Sequence, residues 1–299
     1  MILHVNKIKT FHTQHTSCHY QAMSTPAVVE TKTIELPNSG SKAIIVCLNR
    51  PSKNNCFNTE VIHLLSEIFR KIADTHDEEL AAIIFTGKGK SFCAGADLSN
   101  PPNPLIQSSD LPECLAVNPV HHMNRITVPI IGALQGYVIT GGFELALACD
   151  ILVGDDTTKF RDTHVKFGLA PCWGLSQKLQ RRVGPGRAKL MSYSAMPVTA
   201  KVAYEWGLLD ELVAVGVEGS SLHRAIEIAD NIGSQDLKMV RRYKQALEQG
   251  GKMELQKGLQ RERELGIAHY LEIMNDGNTF EGAKDYITDD KRPRLQSKL

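Results

Sequence analysis

Residues 128–154 constrain the fold of this 299-residue chain more than any other stretch. Val128-Pro129-Ile130-Ile131-Gly132-Ala133-Leu134 is an apolar run of strand length. A glycine-rich turn follows, and after Gly142 residues 143–149 run Phe-Glu-Leu-Ala-Leu-Ala-Cys, which is too apolar for a helix facing water. Ile151-Leu152-Val153-Gly154 is a second apolar run. A buried helix between two buried strands argues for an α/β architecture.

Upstream, residues 28–36 partly alternate and residues 43–48 are apolar, with Pro37-Asn38-Ser39-Gly40 between them. This spacing predicts a β-hairpin. Asn58 or Thr59 can cap a helix whose apolar positions Val61, Leu64, Leu65, Ile68 and Ile72 follow the helical period. Residues 81–86 read as a strand that stops at Gly87-Lys88-Gly89, and residues 100–118, with several prolines, read as a long loop. Beyond about residue 174 the strand signals fade. Thr199 can cap a short helix ending near Gly207, and residues 222–249 and 252–274 read as helices with charged faces. Gly87-x-Gly89 and Gly184-x-Gly186 lack the spacing of a nucleotide motif and read as turns.

The formal charge of +1 gives no reason to expect nucleic acid or an anionic membrane as a partner. No apolar stretch approaches the roughly 18 residues of a bilayer-spanning helix. The 7 cysteines are scattered without a C-x-x-C pair, which fits a reducing compartment, and no Cys/His cluster has zinc spacing, so no metal is expected.

Three segments carry the chemistry. Ser91-Phe92-Cys93-Ala94-Gly95-Ala96-Asp97-Leu98 follows a strand, Gly136-Tyr137-Val138-Ile139-Thr140-Gly141-Gly142-Phe143-Glu144 joins a strand to a helix, and residues 160–174 follow the next strand. Glu144 sits just inside an apolar helix, where a carboxylate is costly unless paired or used, and burial would raise its pKa toward that of a useful base. The helix dipole alone also favours a glutamate there. In this order the three segments resemble the crotonase (enoyl-CoA hydratase/isomerase) family. The likeness extends from about residue 33 to 293 and includes Leu48-Asn49-Arg50-Pro51, Ala148-Cys149-Asp150 and Ala203-Tyr204-Glu205-Trp206-Gly207-Leu208-Leu209.

The resemblance implies an α/β fold: a crotonase-type spiral of ββα units over residues 26–205, followed by a helical trimerisation region over residues 206–296. Residues 1–25 are expected to be a disordered extension. The family's oxyanion hole maps onto the backbone N–H groups of Ala96 and Gly141, which would hold the enolate oxygen formed in thioester chemistry. Its first catalytic glutamate maps onto Glu144. Where many family hydratases carry a second glutamate, this chain has His164, with Asp162 two residues before it. A histidine titrates close to neutrality and can deliver a proton, and a structural role for His164 stays open on the sequence alone. Ala94, Ala96, Asp97, Leu98, Ser99 and Gly141 are expected along the coenzyme A ester. Trp173 is a candidate wall of the acyl pocket, and Arg50, Lys53 and Lys88 are candidate phosphate neighbours.

The implied activity is hydration of trans-2-enoyl-CoA in fatty-acid β-oxidation, with coenzyme A arriving as part of the substrate and no other cofactor. An enoyl-CoA isomerase, a hydratase-lyase on a specialised acyl-CoA and a non-catalytic acyl-CoA-binding protein remain alternatives. A homotrimer or hexamer is expected, with no nucleic-acid or membrane partner. Ser297-Lys298-Leu299 reads as a peroxisomal address recognised by an import receptor.

Overall fold

The computed structural model describes residues 27–103, 111–214 and 220–275. The expected extension at residues 1–25 and the Ser297-Lys298-Leu299 tripeptide lie outside the described residues.

The hairpin forms where the Pro37–Gly40 turn signal places it: β1 (Val29–Glu35) pairs antiparallel with β2 (Lys42–Leu48), Val29 opposite Leu48 and Glu35 opposite Lys42. After a 3₁₀ turn at Pro51–Lys53, helix α1 (Thr59–Asp74) begins at Asn58, whose side chain accepts the Val61 N–H at 3.1 Å. Its inward face buries Val61, Ile62, Leu65 and Phe69. Strand β3 (Leu80–Gly87) lies parallel to β2 and is buried along its whole length. The expected long loop at residues 100–118 is not wholly loop. Pro112 and Pro119 start two short helices, α2 (Pro112–Ala116) and α3 (Pro119–Met123), because proline lacks only an N–H that a helix start leaves unpaired anyway.

The next stretch is built of repeated units. β4 (Ile130–Leu134), β5 (Tyr137–Ile139) and α4 (Gly141–Leu147) form one; β6 (Ile151–Asp155), β7 (Lys159–Arg161) and α5 (His164–Phe167) form the next. In each unit the first strand joins a six-stranded sheet of order β1-β2-β3-β4-β6-β9, and the second joins a three-stranded sheet of order β5-β7-β8. α6 (Leu175–Val183) and α7 (Pro185–Ser194) follow, then β8 (Val198–Thr199), α8 (Ala200–Glu205) and β9 (Glu211–Val213). Every pairing in the large sheet beyond the first hairpin is parallel.

Strand signals fade after residue 174, yet β8 and β9 are there, held by pairing with β7 and β6 rather than by their own pattern. Thr199 precedes α8 as expected, but its side chain makes no capping bond; its backbone pairs with Lys159 instead. The sheet runs past residue 206, and α9 (Ser220–Gly233) buries Ala225 and Ala229 against β3, β4 and β6. The single helix expected over residues 222–249 is two. Asp236 caps α10 (Leu237–Gly250), accepting the Lys238 and Met239 N–H groups at 2.9 and 3.1 Å, which breaks the run after Gly233. α10 is pinned to the sheet by buried Lys244, whose Nζ lies 2.7 Å from Asp150 and 2.9 Å from the Val128 carbonyl. α11 (Leu255–Asn275) packs on α10.

Candidate active site

Two segments must meet for the site to exist: the residue 93–97 loop after β3 and the start of α4. Backbone pairing joins them. The Cys93 N–H donates to the Tyr137 carbonyl at 2.9 Å, and the Ile139 N–H donates to the Cys93 carbonyl at 3.0 Å. The approach is close enough to demand glycine. A Cβ on Gly142 would lie 2.3 Å from the Cys93 carbonyl oxygen, and one on Gly141 would lie 2.4 Å from the tip of the Phe57 ring. Phe57 fixes the other side of the loop: its carbonyl accepts the Asp97 N–H at 2.8 Å and its N–H donates to Gly95 at 2.9 Å. Among the described residues, the Ala96 and Gly141 N–H groups find no acceptor in the protein. Both belong to the pair of segments held together by these bonds.

Glu144 is 4% exposed in a helix whose every residue is buried. One carboxylate oxygen, Oε1, accepts the Trp173 N–H at 2.8 Å and the Leu175 N–H at 3.3 Å. The other, Oε2, faces His164 Nε2 at 3.8 Å. Burial pushes the Glu144 carboxyl above the ordinary range, and the Trp173 N–H and the His164 ring oppose that push without cancelling it. His164 is 6% exposed, and its other ring nitrogen, Nδ1, lies 2.7 Å from Asp162 Oδ1. Burial alone would raise the Asp162 carboxyl. The hydrogen bonds from His164 and Ser192 outweigh it and hold the group below the usual carboxylate range.

Thr140 locks the two units together. It sits at φ 51°, an uncommon conformation for a residue with a branched side chain. Its N–H donates to the Arg161 carbonyl at 2.9 Å, its hydroxyl pairs with that of Thr163, and the Thr163 N–H donates to it at 3.1 Å. The strained turn therefore fixes the start of the Glu144 helix against the loop that carries His164.

The remaining sequence candidates divide. Trp173 is buried, stacks at 5.3 Å from Phe57 and offers an indole N–H that has no hydrogen-bond partner among the described residues. Ala94 and Ala96 are half-buried along the residue 93–97 loop, while Leu98 is 64% exposed at the rim. Asp97 turns inward. Its carboxyl is pulled down to about 2 by the Ser99 hydroxyl and by Arg50, which it meets at 2.9 Å. Arg50 is thus engaged within the protein, and Lys88 lies 3.4 Å from Glu30 on the surface. Sequence reasoning noticed Asp162 but gave it no task, and it missed the Thr140–Thr163 lock and the Phe57 brace. The Asp-x-His spacing was the one available signal for the first; the others depend on pairing between segments distant in sequence.

A buried carboxylate facing a buried imidazole, beside two unengaged backbone N–H groups, can take one proton, give another and hold a developing oxyanion. The sequence model described as enoyl-CoA hydratase/isomerase matches residues 39–288, and the chain belongs to that family. It is 36% identical over 271 residues to the probable peroxisomal enoyl-CoA hydratase 1 of Arabidopsis thaliana, covering 91% of this chain and 98% of that protein. It is 31% identical over 262 residues to the short-chain-enoyl-CoA hydratase of Clostridium acetobutylicum, covering 87% and 95%. Among solved structures, the Bacillus anthracis enoyl-CoA hydratase matches with a TM-score of 0.73 at 27% identity, covering 87% of this chain and 96% of that one. The fold is the crotonase fold.

Proposed function

We propose that the protein is an enoyl-CoA hydratase that adds water across the 2,3 double bond of trans-2-enoyl-CoA. The observation that carries this reading is the Glu144–His164 pair, 3.8 Å apart and buried. Hydration needs a base for water and an acid for C2, whereas moving a double bond needs only one carboxylate. In this reading Glu144 takes a proton from water as the oxygen bonds to C3. The π electrons of the double bond pass to the thioester oxygen, which the Ala96 and Gly141 N–H groups hold as an enolate. Protonated His164 then gives its Nε2 proton to C2 as the carbonyl re-forms. Proton return from Glu144 to His164 resets the pair. No cofactor is proposed beyond the coenzyme A that the substrate carries.

Trp173 and Phe57 are proposed to wall the acyl end, with Ala94, Leu98 and Ser99 along the coenzyme A stretch. Purified protein given crotonyl-CoA should form 3-hydroxybutyryl-CoA, and given a 3-enoyl-CoA it should be much slower. Fast conversion of the 3-enoyl ester with no hydration of crotonyl-CoA would identify an isomerase instead.

Assembly and address belong to the same reading. Leu255, Leu259, Ile267, Tyr270, Leu271 and Met274 of α11 are all about half exposed or more, which supports burial between copies in a trimer or hexamer. Ser297-Lys298-Leu299, together with the peroxisomal label of the Arabidopsis relative, supports peroxisomal import through a receptor.

A further inference from the structure

We infer that Asp162 is a positioning residue for the hydration step, holding His164 so that Nε2 faces Glu144. The inference rests on the reading of His164 as the proton donor to C2. Three observations carry it. Asp162 Oδ1 takes both the His164 ring Nδ1–H at 2.7 Å and the His164 backbone N–H at 3.1 Å, so one oxygen fixes the ring and its main chain together. Asp162 is 2% exposed, and a carboxylate that deep is retained only where its partners use it. Ser192 of α7 donates to the same carboxylate, so the group is braced from a second element.

The consequence is a directed array. Asp162 fixes the proton on Nδ1, which leaves Nε2 as the nitrogen that gains and loses a proton at the substrate. The titratable groups facing His164 among the described residues are Asp162 from its own loop and Glu144 from α4. From α7 the Ser192 hydroxyl bonds to Asp162, and the Cys172 thiol, its pKa raised by burial, lies toward Glu144. A glutamate at position 164 would keep the backbone bond to Asp162 but offer it no ring N–H. The histidine and the aspartate therefore form a unit.

The test is Asp162→Asn in two backgrounds, with kcat and KM measured separately on crotonyl-CoA. In the otherwise wild-type chain it should lower kcat at least ~10-fold with KM little changed. In the His164→Glu background the same change should cause a clearly smaller loss, since the ring bond to Asp162 is already gone while the backbone and Ser192 bonds remain. Asp162→Glu, which keeps a carboxylate for the ring N–H, should retain more of the wild-type kcat than Asp162→Asn. For a readout that needs no variant, ¹⁵N NMR of the wild type should place the proton of neutral His164 on Nδ1. Wild-type kcat in Asp162→Asn, equal losses in both backgrounds, or a proton on Nε2 would each overturn the inference. If His164→Ala hydrates at the wild-type rate, the His164 reading falls and takes this inference with it. If His164→Ala is impaired while Asp162→Asn is normal, only the role of Asp162 falls.

Discussion

Burial of Glu144 affects both catalysis and stability through one shift. Its carboxyl is raised by desolvation, so the folded protein binds that proton more tightly than the unfolded chain does. The sign follows directly: the stability tied to Glu144 is fully present below the ordinary glutamate pKa and is lost as pH rises through the raised folded value. Above that raised value the ionised group is a liability that catalysis requires. Glu144→Gln should therefore melt at the same temperature as wild type or higher at pH 8, with any gain shrinking as pH falls toward the ordinary carboxylate range. Thermal unfolding across pH checks this, and a Glu144→Gln protein much less stable at pH 8 would contradict it. His164 makes a second residue-scale prediction. His164→Ala should lose rate mainly in turnover, because a proton delivered in the transition state is not a ground-state contact. His164→Glu, which restores the more common family pair, should retain substantial activity. Normal hydration and normal C2 proton exchange in His164→Ala would make His164 structural.

At the level of elements, the site depends on how closely the Cys93 loop and α4 approach. The Cys93 carbonyl at 2.3 Å from a would-be Gly142 Cβ belongs to backbone, which cannot swing aside as a side chain can. Gly142→Ala should push α4 away from the loop, costing about 1–3 kcal/mol of stability and most of the turnover. A variant with wild-type melting temperature and rate would show that the approach is looser than described. This element was legible in the sequence: the apolar helix with one glutamate, between two apolar runs, became β4, α4 and β6 with shifts of only a residue or two. The three-stranded sheet was not. β5, β7 and β8 have two or three residues each, too short for alternation to register, and they exist because Val138, Phe160 and Val198 find partners across the chain. Gly233 to Asp236 hid a helix break inside one continuous amphipathic pattern, where the capping aspartate was the only mark. In the site, Glu144 and His164 stood out as polar residues in apolar or motif-bearing strings. Asp162 left only its Asp-x-His spacing as a mark, and Phe57 and Thr140 act through contacts that no local pattern encodes.

For the whole molecule, the exposed apolar positions of α11 make assembly a prediction of its own. Light scattering at micromolar concentration should show a trimer or hexamer, and a monomer would refute burial of that stripe between copies. A fluorescent fusion that leaves Ser297-Lys298-Leu299 at its free end should enter peroxisomes, and removal of the three residues should abolish import while sparing hydration. A fusion that stayed cytosolic would refute the address. The buried acid–base pair remains the centre of the account, and its most direct test is hydration of crotonyl-CoA by purified full-length protein beside its Glu144→Gln variant. Wild type should hydrate the ester, and the variant should be slower by at least ~10²-fold while still binding it. Near-normal turnover by Glu144→Gln would contradict the account.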